Sequence, residues 1–143
     1  MNRNRNQQQT EVIRGICNII NQANTLKEVL TVKNISLPGG YAETVAKNIK
    51  DINPSQLRKF FDTAKIAQQR KSFESSCNTL FTLVPQMAYS VGRELCDPNL
   101  FELIKSCIKP EKIKSFDDID AFVNLFEYIL AYSKLDEALR KRR

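Results

Sequence analysis

Three features of this 143-residue chain predict an all-α fold, a single helical bundle of about five to seven helices. Glycine and proline are scarce, at four and five residues, so the chain has few places to turn. Apolar residues recur at three- and four-residue spacing through successive segments, the period of a helix with one buried face. Hydrophobic content is 42% against 27% charged residues, enough to fill one core at this length. The bundle is expected over residues 10–139, between a flexible tail at 1–9 and a basic tail at 140–143.

Thr10 is placed to cap a first helix running to about Gln22, with Val12, Ile13, Ile16, Cys17, Ile19 and Ile20 apolar on two sides. A short helix that is apolar on two sides belongs in a core or against a partner, and a core position is expected here. Thr25 to Lys33 gives a short second helix through Leu26, Val29 and Leu30. Asn34 to Gly40 is a connection, because Pro38, Gly39 and Gly40 do not all fit a helix interior. Tyr41 to Ile52 resumes the helical pattern through Val45 and Ile49.

The next stretch, NPSQLRKFFDTAKIAQQRK from Asn53 to Lys71, carries a full set of start signals. Asn53 is a preferred cap, Pro54 suits the first helical position, and Gln56 sits where a capping box reaches back. Because almost no loop separates it from the preceding helix, the two are expected to pack as neighbours. Leu57, Phe60, Phe61, Ala64 and Ala67 form its core face. Ser55, Arg58, Lys59, Lys65, Gln69 and Arg70 lie on the other side, with Asp62 the only acid there. Lys47 and Lys50 on the preceding helix lie close in sequence to this basic stripe. Such a stripe is often only a solvated face, so it needs support from elsewhere in the chain.

Phe73, Cys77, Leu80, Phe81 and Val84 mark another core-facing helix, and Pro85 either kinks it or opens the next. In PQMAYSVGRELC, Tyr89 and Arg93 are four apart, so the guanidinium can lie over or beside the ring. Asp97-Pro98 restarts a short helix through Leu100, Leu103, Ile104 and Ile108. The segment 109–114 contains Pro110 and reads as a loop. Ser115 and Asp118 resemble a capping box, with Phe116 stapled against Ile119. The last helix runs through Phe122, Phe126 and Ile129 to about Leu139. Its acidic first turn (Asp117, Asp118, Asp120) and basic end both suit the helix dipole.

The net charge of +6 is unevenly spread. Residues 1–71 hold twelve basic and five acidic side chains, residues 72–139 six and eleven, and Arg140 to Arg143 are all basic. That polarity suits a polyanion on one side and a protein neighbour on the other, or basic-to-acidic stacking of copies.

Several chemistries are excluded. With no histidine there is no imidazole base, no Ser-His or Cys-His pair and no histidine metal ligand. Cys17, Cys77, Cys96 and Cys107 show no C-x-x-C spacing and read as reduced core residues. The helix dipole accounts for the aspartates near residue 118, Gly39-Gly40 lacks the context of a phosphate loop, and no lysine sits inside an apolar run. The chain reads as a non-enzyme without metal or cofactor. No apolar run approaches the roughly 18–20 residues of a membrane span. The polar start, MNRNRNQQQ, has no signal-like apolar region after it, so a cytoplasmic location is expected.

Three segments in order, INPSQLRKFF, PQMAYSVGR and FDDIDAFVNLFEYILAYSK, resemble the small all-helical subunit of type III-A CRISPR effector (Csm) complexes, across roughly residues 36–134. In that family a Ser-Gln-Leu-Arg-Lys-Phe stretch opens a central helix, and a helix ending in Tyr-x-x-Gly-Arg follows. The resemblance implies a non-catalytic subunit that stacks with copies of itself and with other effector subunits along the guide RNA/target RNA duplex. It carries RNA contact over to Arg58, Lys59 and Arg93. Lys47, Lys50, Lys65 and Arg70 are added from the basic stripe alone. A protein lining a duplex of arbitrary sequence should read backbone and shape, which cations on rigid helices can do. The alternative reading is a helical adaptor whose basic stripe meets an acidic protein partner; a nuclease is the third.

Overall fold

The computed structural model describes residues 2–50 and 53–142, with side chains from Asn4 onward. Nine helical segments and no strand occur among the described residues: α1 (Asn2–Gln22), α2 (Leu26–Val29), α3 (Val32–Ser36), α4 (Tyr41–Lys47), α5 (Pro54–Gln69), α6 (Phe73–Phe81), α7 (Leu83–Gly92), α8 (Pro98–Cys107) and α9 (Phe116–Lys141). Since α2 and α3 are single turns of four and five residues, seven longer helices remain, and the all-α bundle is as expected.

The axis of the bundle is α9. Its buried Ile119, Phe122, Val123, Leu125, Phe126 and Ile129 meet α2, α3, α4 and α5, while α1 lies along α8. The apolar stripe of α1 divides as a two-sided helix should. Ile13, Ile16, Cys17 and Ile20 are buried, whereas Val12 and Ile19 are part-exposed. All four cysteines are buried and free.

Two buried charged groups tie the ends of helices together. Lys112 lies in the loop before α9, and its Nζ donates to Asn21 O at 2.8 Å and to Ala23 O. An ammonium at those carbonyls satisfies acceptors that the end of α1 leaves open and suits its dipole. Asp118 is wholly buried. Its Oδ1 accepts from Lys27 N (2.9 Å), and its Oδ2 accepts from Lys114 N (2.9 Å) and Ser115 Oγ (3.3 Å). The expected capping box is therefore rearranged: the shorter aspartate reaches the residue before the cap instead of Ser115 N. Phe116 packs edge-on against Phe73, at 5.5 Å between centroids.

Local boundaries differ from expectation in four further places. Residues 2–9, read as a tail, continue α1. Arginine and glutamine propagate a helix already nucleated by the buried turns, and Thr10 donates to Asn6 O (2.9 Å) instead of capping. At the other end Arg140 and Lys141 belong to α9, held by pairs to Asp136 (3.4 Å) and Glu137 (3.0 Å). Met1 and Arg143, the outer ends of those two segments, lie outside the described residues. The stretch 25–36 makes two turns, because Thr31 caps α3 through Asn34 N. There Gly40 is required: a Cβ on it would meet Asn34 O at 2.5 Å.

The fourth difference concerns α4, which ends at Lys47, well before α5 begins at Pro54; Ile52 lies outside the described residues. With that much chain between them, α4 packs on α9, α3 and α1 instead of beside α5. The break between α6 and α7 falls at Thr82, which places Pro85 in the first turn of α7, where a missing N–H costs nothing.

Candidate nucleic-acid interface

Helix α5 is built to hold its outer face rigid. Asn53 Oδ1 accepts from Ser55 N (2.8 Å), and Leu57, Phe60, Ala64 and Ala67 are buried. Ser76 Oγ donates to Ala67 O (2.6 Å) from α6, and Phe61 stacks on Phe126 of α9 at 6.1 Å. Arg58 and Lys59 then point outward. Neither side chain has an ion pair or hydrogen bond among the described residues.

Lys59 borders a cleft of ≈ 580 Å³ between α5 and α7, and Arg93 borders it from the end of α7. Arg93 lies 5.7 Å from the centroid of Tyr89, whose ring is 68% exposed. Gln56 faces the cleft as well. Its Oε1 accepts from Ser90 Oγ (3.0 Å), so the expected capping-box bond is replaced by one across the helix pair. Thr63 Oγ1 lies 3.2 Å from Lys59 O and 3.1 Å from Gln86 Oε1, sharing its one proton. Among the described residues no carboxylate lines this cleft. Its polar rim thus presents cations and amide NH₂ groups, a lining that suits an acceptor-rich anion.

The other four predicted cations lie elsewhere. Lys50 lines a neighbouring cleft of ≈ 320 Å³ with Glu94 and Asp97, and Leu95 borders both clefts. Lys65 leans toward α9: its Nζ donates to Gln68 (3.1 Å) and lies 5.9 Å from the Phe61 ring centroid, while Gln68 donates to Asp120 (2.9 Å). Arg70 caps α5 and donates through Nε to Thr79 on α6 (3.3 Å). Lys47 pairs with Glu43 at 3.8 Å. The stripe read from α5 thus spreads over three sides, and only Lys59 and Arg93 share one cleft, with Arg58 beside them. Gln56, Gln86 and Ser90 were not singled out as cleft residues. Gln86, Tyr89, Ser90 and Arg93 do recur at three- and four-residue spacing along α7, a polar edge that the sequence displays.

No helix of the described residues is long and apolar enough to cross a membrane, and no group of three or more His, Cys, Asp or Glu among them is placed to hold a metal ion. Asp118 and Asp120 are occupied with hydrogen bonds inside the fold.

Fold and site together define a small all-α bundle that carries a basic, donor-lined cleft on its surface. The family model described as Csm2 Type III-A matches residues 32–138, and the chain belongs to that family. It is thereby a subunit of the type III-A CRISPR effector, the Csm complex, and associates with the other subunits of that assembly. All of α1, together with α2, precedes the matched region. No curated protein and no solved structure matches the chain.

Proposed function

We propose that this protein is the non-catalytic small subunit of its effector complex. In this reading it holds the guide RNA/target RNA duplex by its phosphate backbone and stacks with copies of itself and with other subunits in the cytoplasm. The observation that carries it is the cleft: Lys59 and Arg93 arrive from two helices, both exposed, with Arg58 adjacent and no acid lining it among the described residues. Unpaired cations on rigid helices suit phosphates and carry no sequence preference, as a duplex of arbitrary sequence requires. Lys50 extends the surface toward the second cleft, and Lys47, Lys65 and Arg70 contribute to the field around it. Basic first half against acidic second half supports stacking of copies.

The test is equilibrium binding of RNA by the full-length protein between about 50 and 200 mM salt. Phosphate neutralisation releases counterions, so affinity should fall steeply across that range. Equal binding across it would count against the reading. Binding heparin as well as RNA would favour the adaptor reading instead. Incubation with labelled RNA and magnesium or manganese should leave the RNA intact; cleavage that copurifies with the protein would overturn the non-catalytic part.

A further inference from the structure

We infer that the α5–α7 cleft is a nucleotide subsite that takes one unstacked base of an RNA strand against Tyr89, with the adjoining phosphate on Lys59 and Arg93. This rests on the RNA-binding reading above and goes beyond it, because backbone contact alone leaves the exposed Tyr89 ring unused.

Three observations combine. The first is shape: ≈ 580 Å³ is room for a nucleotide. The second is Tyr89. A tyrosine 68% exposed on a short, otherwise well-packed helix gains little from burial, yet its ring stands at the cleft beside Arg93. An aromatic face flanked by guanidinium is a stacking platform for any base, and cationic edges beside it take the phosphate. The third is hydrogen-bond polarity. Ser90 occupies Gln56 Oε1 from inside the fold, which leaves the Gln56 NH₂ group turned to the cleft as a donor. Gln86 Oε1 is likewise engaged by Thr63. Base edges rich in carbonyl and ring-nitrogen acceptors fit such a wall, uracil with its two carbonyls among them. A continuous duplex offers no free base face, so the subsite is filled by single-stranded or locally unstacked RNA.

The experiment compares two strands of equal length and charge on the full-length protein: oligouridylate, and a strand of abasic residues. Oligouridylate should bind about 5- to 100-fold tighter, the range of one stacked base. Tyr89→Ala should erase that preference and Tyr89→Phe should keep it, since the ring and not the hydroxyl does the stacking. An unchanged melting temperature for Tyr89→Ala would show that the loss is not unfolding. If the parent binds both strands equally, or Tyr89→Ala keeps the preference, the subsite is wrong. Steep salt dependence on both strands would then still uphold backbone binding. Failure to bind either strand overturns both.

Discussion

Lys59 on α5 and Arg93 at the end of α7 border the same cleft, although they are far apart in sequence and neither pairs with an acid among the described residues. What brings them together is apolar. Phe60, the neighbour of Lys59, is buried at 2%, and Met87 and Leu83 of α7 are wholly buried. The interface therefore depends on core packing for its geometry and on exposed side chains for its chemistry, and substitutions should separate the two.

Phe60→Ala should cost about 3–5 kcal/mol, the usual range for truncating a buried aromatic, and leave a partly collapsed or unfolded chain. Chemical denaturation followed by circular dichroism measures it. A loss below about 1 kcal/mol would mean the helix is not anchored as described.

Asp118→Ala should also destabilise, by about 2–4 kcal/mol. It removes the wholly buried carboxylate that accepts from the N–H groups of Lys27 and Lys114. Asp118→Asn should cost less, because one amide oxygen still accepts. Comparing the two denaturation midpoints distinguishes lost hydrogen bonding from lost charge.

Glu94→Gly should stabilise. Glu94 has φ 61°, the left-handed region, at the end of α7 where Leu95 N reaches back to Ser90 O (2.8 Å). Glycine is the usual residue in that closing turn, and relieving the side-chain clash is worth about 1 kcal/mol. A raised melting temperature is expected, and a lowered one would show that the Glu94 side chain contributes more than its backbone costs.

Stability should fall at alkaline pH. Burial raises all four thiols above their ordinary value of 9.0, Cys96 to about 12, with the Asp97 charge adding to the effect there. A thiol that stays neutral in the folded state and ionises in the unfolded one favours unfolding as pH rises past about 9. The urea midpoint should therefore drop between pH 8 and 10.5, and less so in Cys96→Ala. Equal drops in both proteins would place the cause in other groups.

The α5 cap, the core faces, the buried thiols and the Tyr89–Arg93 contact were all legible in sequence, because each depends on residues within one or two helical turns. Helix ends were less so. Residues 2–9 carry no apolar signal, yet a helix already nucleated runs through them. The short side chain of Asp118 moved a capping bond by one residue. The cleft was legible only in part. Arg58 and Lys59 stand out on any helical reading of α5, but which cation from another segment would join them depended on how α7 packs. Lys65 and Arg70 share the sequence pattern of Arg58, and only their partners, Gln68 with its bond to Asp120 of α9 and Thr79 of α6, show that they turn away.

Salt-dependent RNA binding by single-site variants is the most direct test of the interface. For full-length protein, log affinity is plotted against log salt for the parent, Arg58→Ala, Lys59→Ala and Arg93→Ala, each checked for an unchanged melting temperature. Among the described residues Arg58 and Lys59 are exposed and unpartnered, and Arg93 contributes a surface cation–π contact of about 0.5–1 kcal/mol, so all three variants should fold. Each should bind RNA more weakly, with a slope reduced by roughly 0.7 to 0.9, the loss of one phosphate contact. Variants that melt normally and bind RNA with the parent's affinity and slope would contradict the assignment of this cleft as the RNA surface.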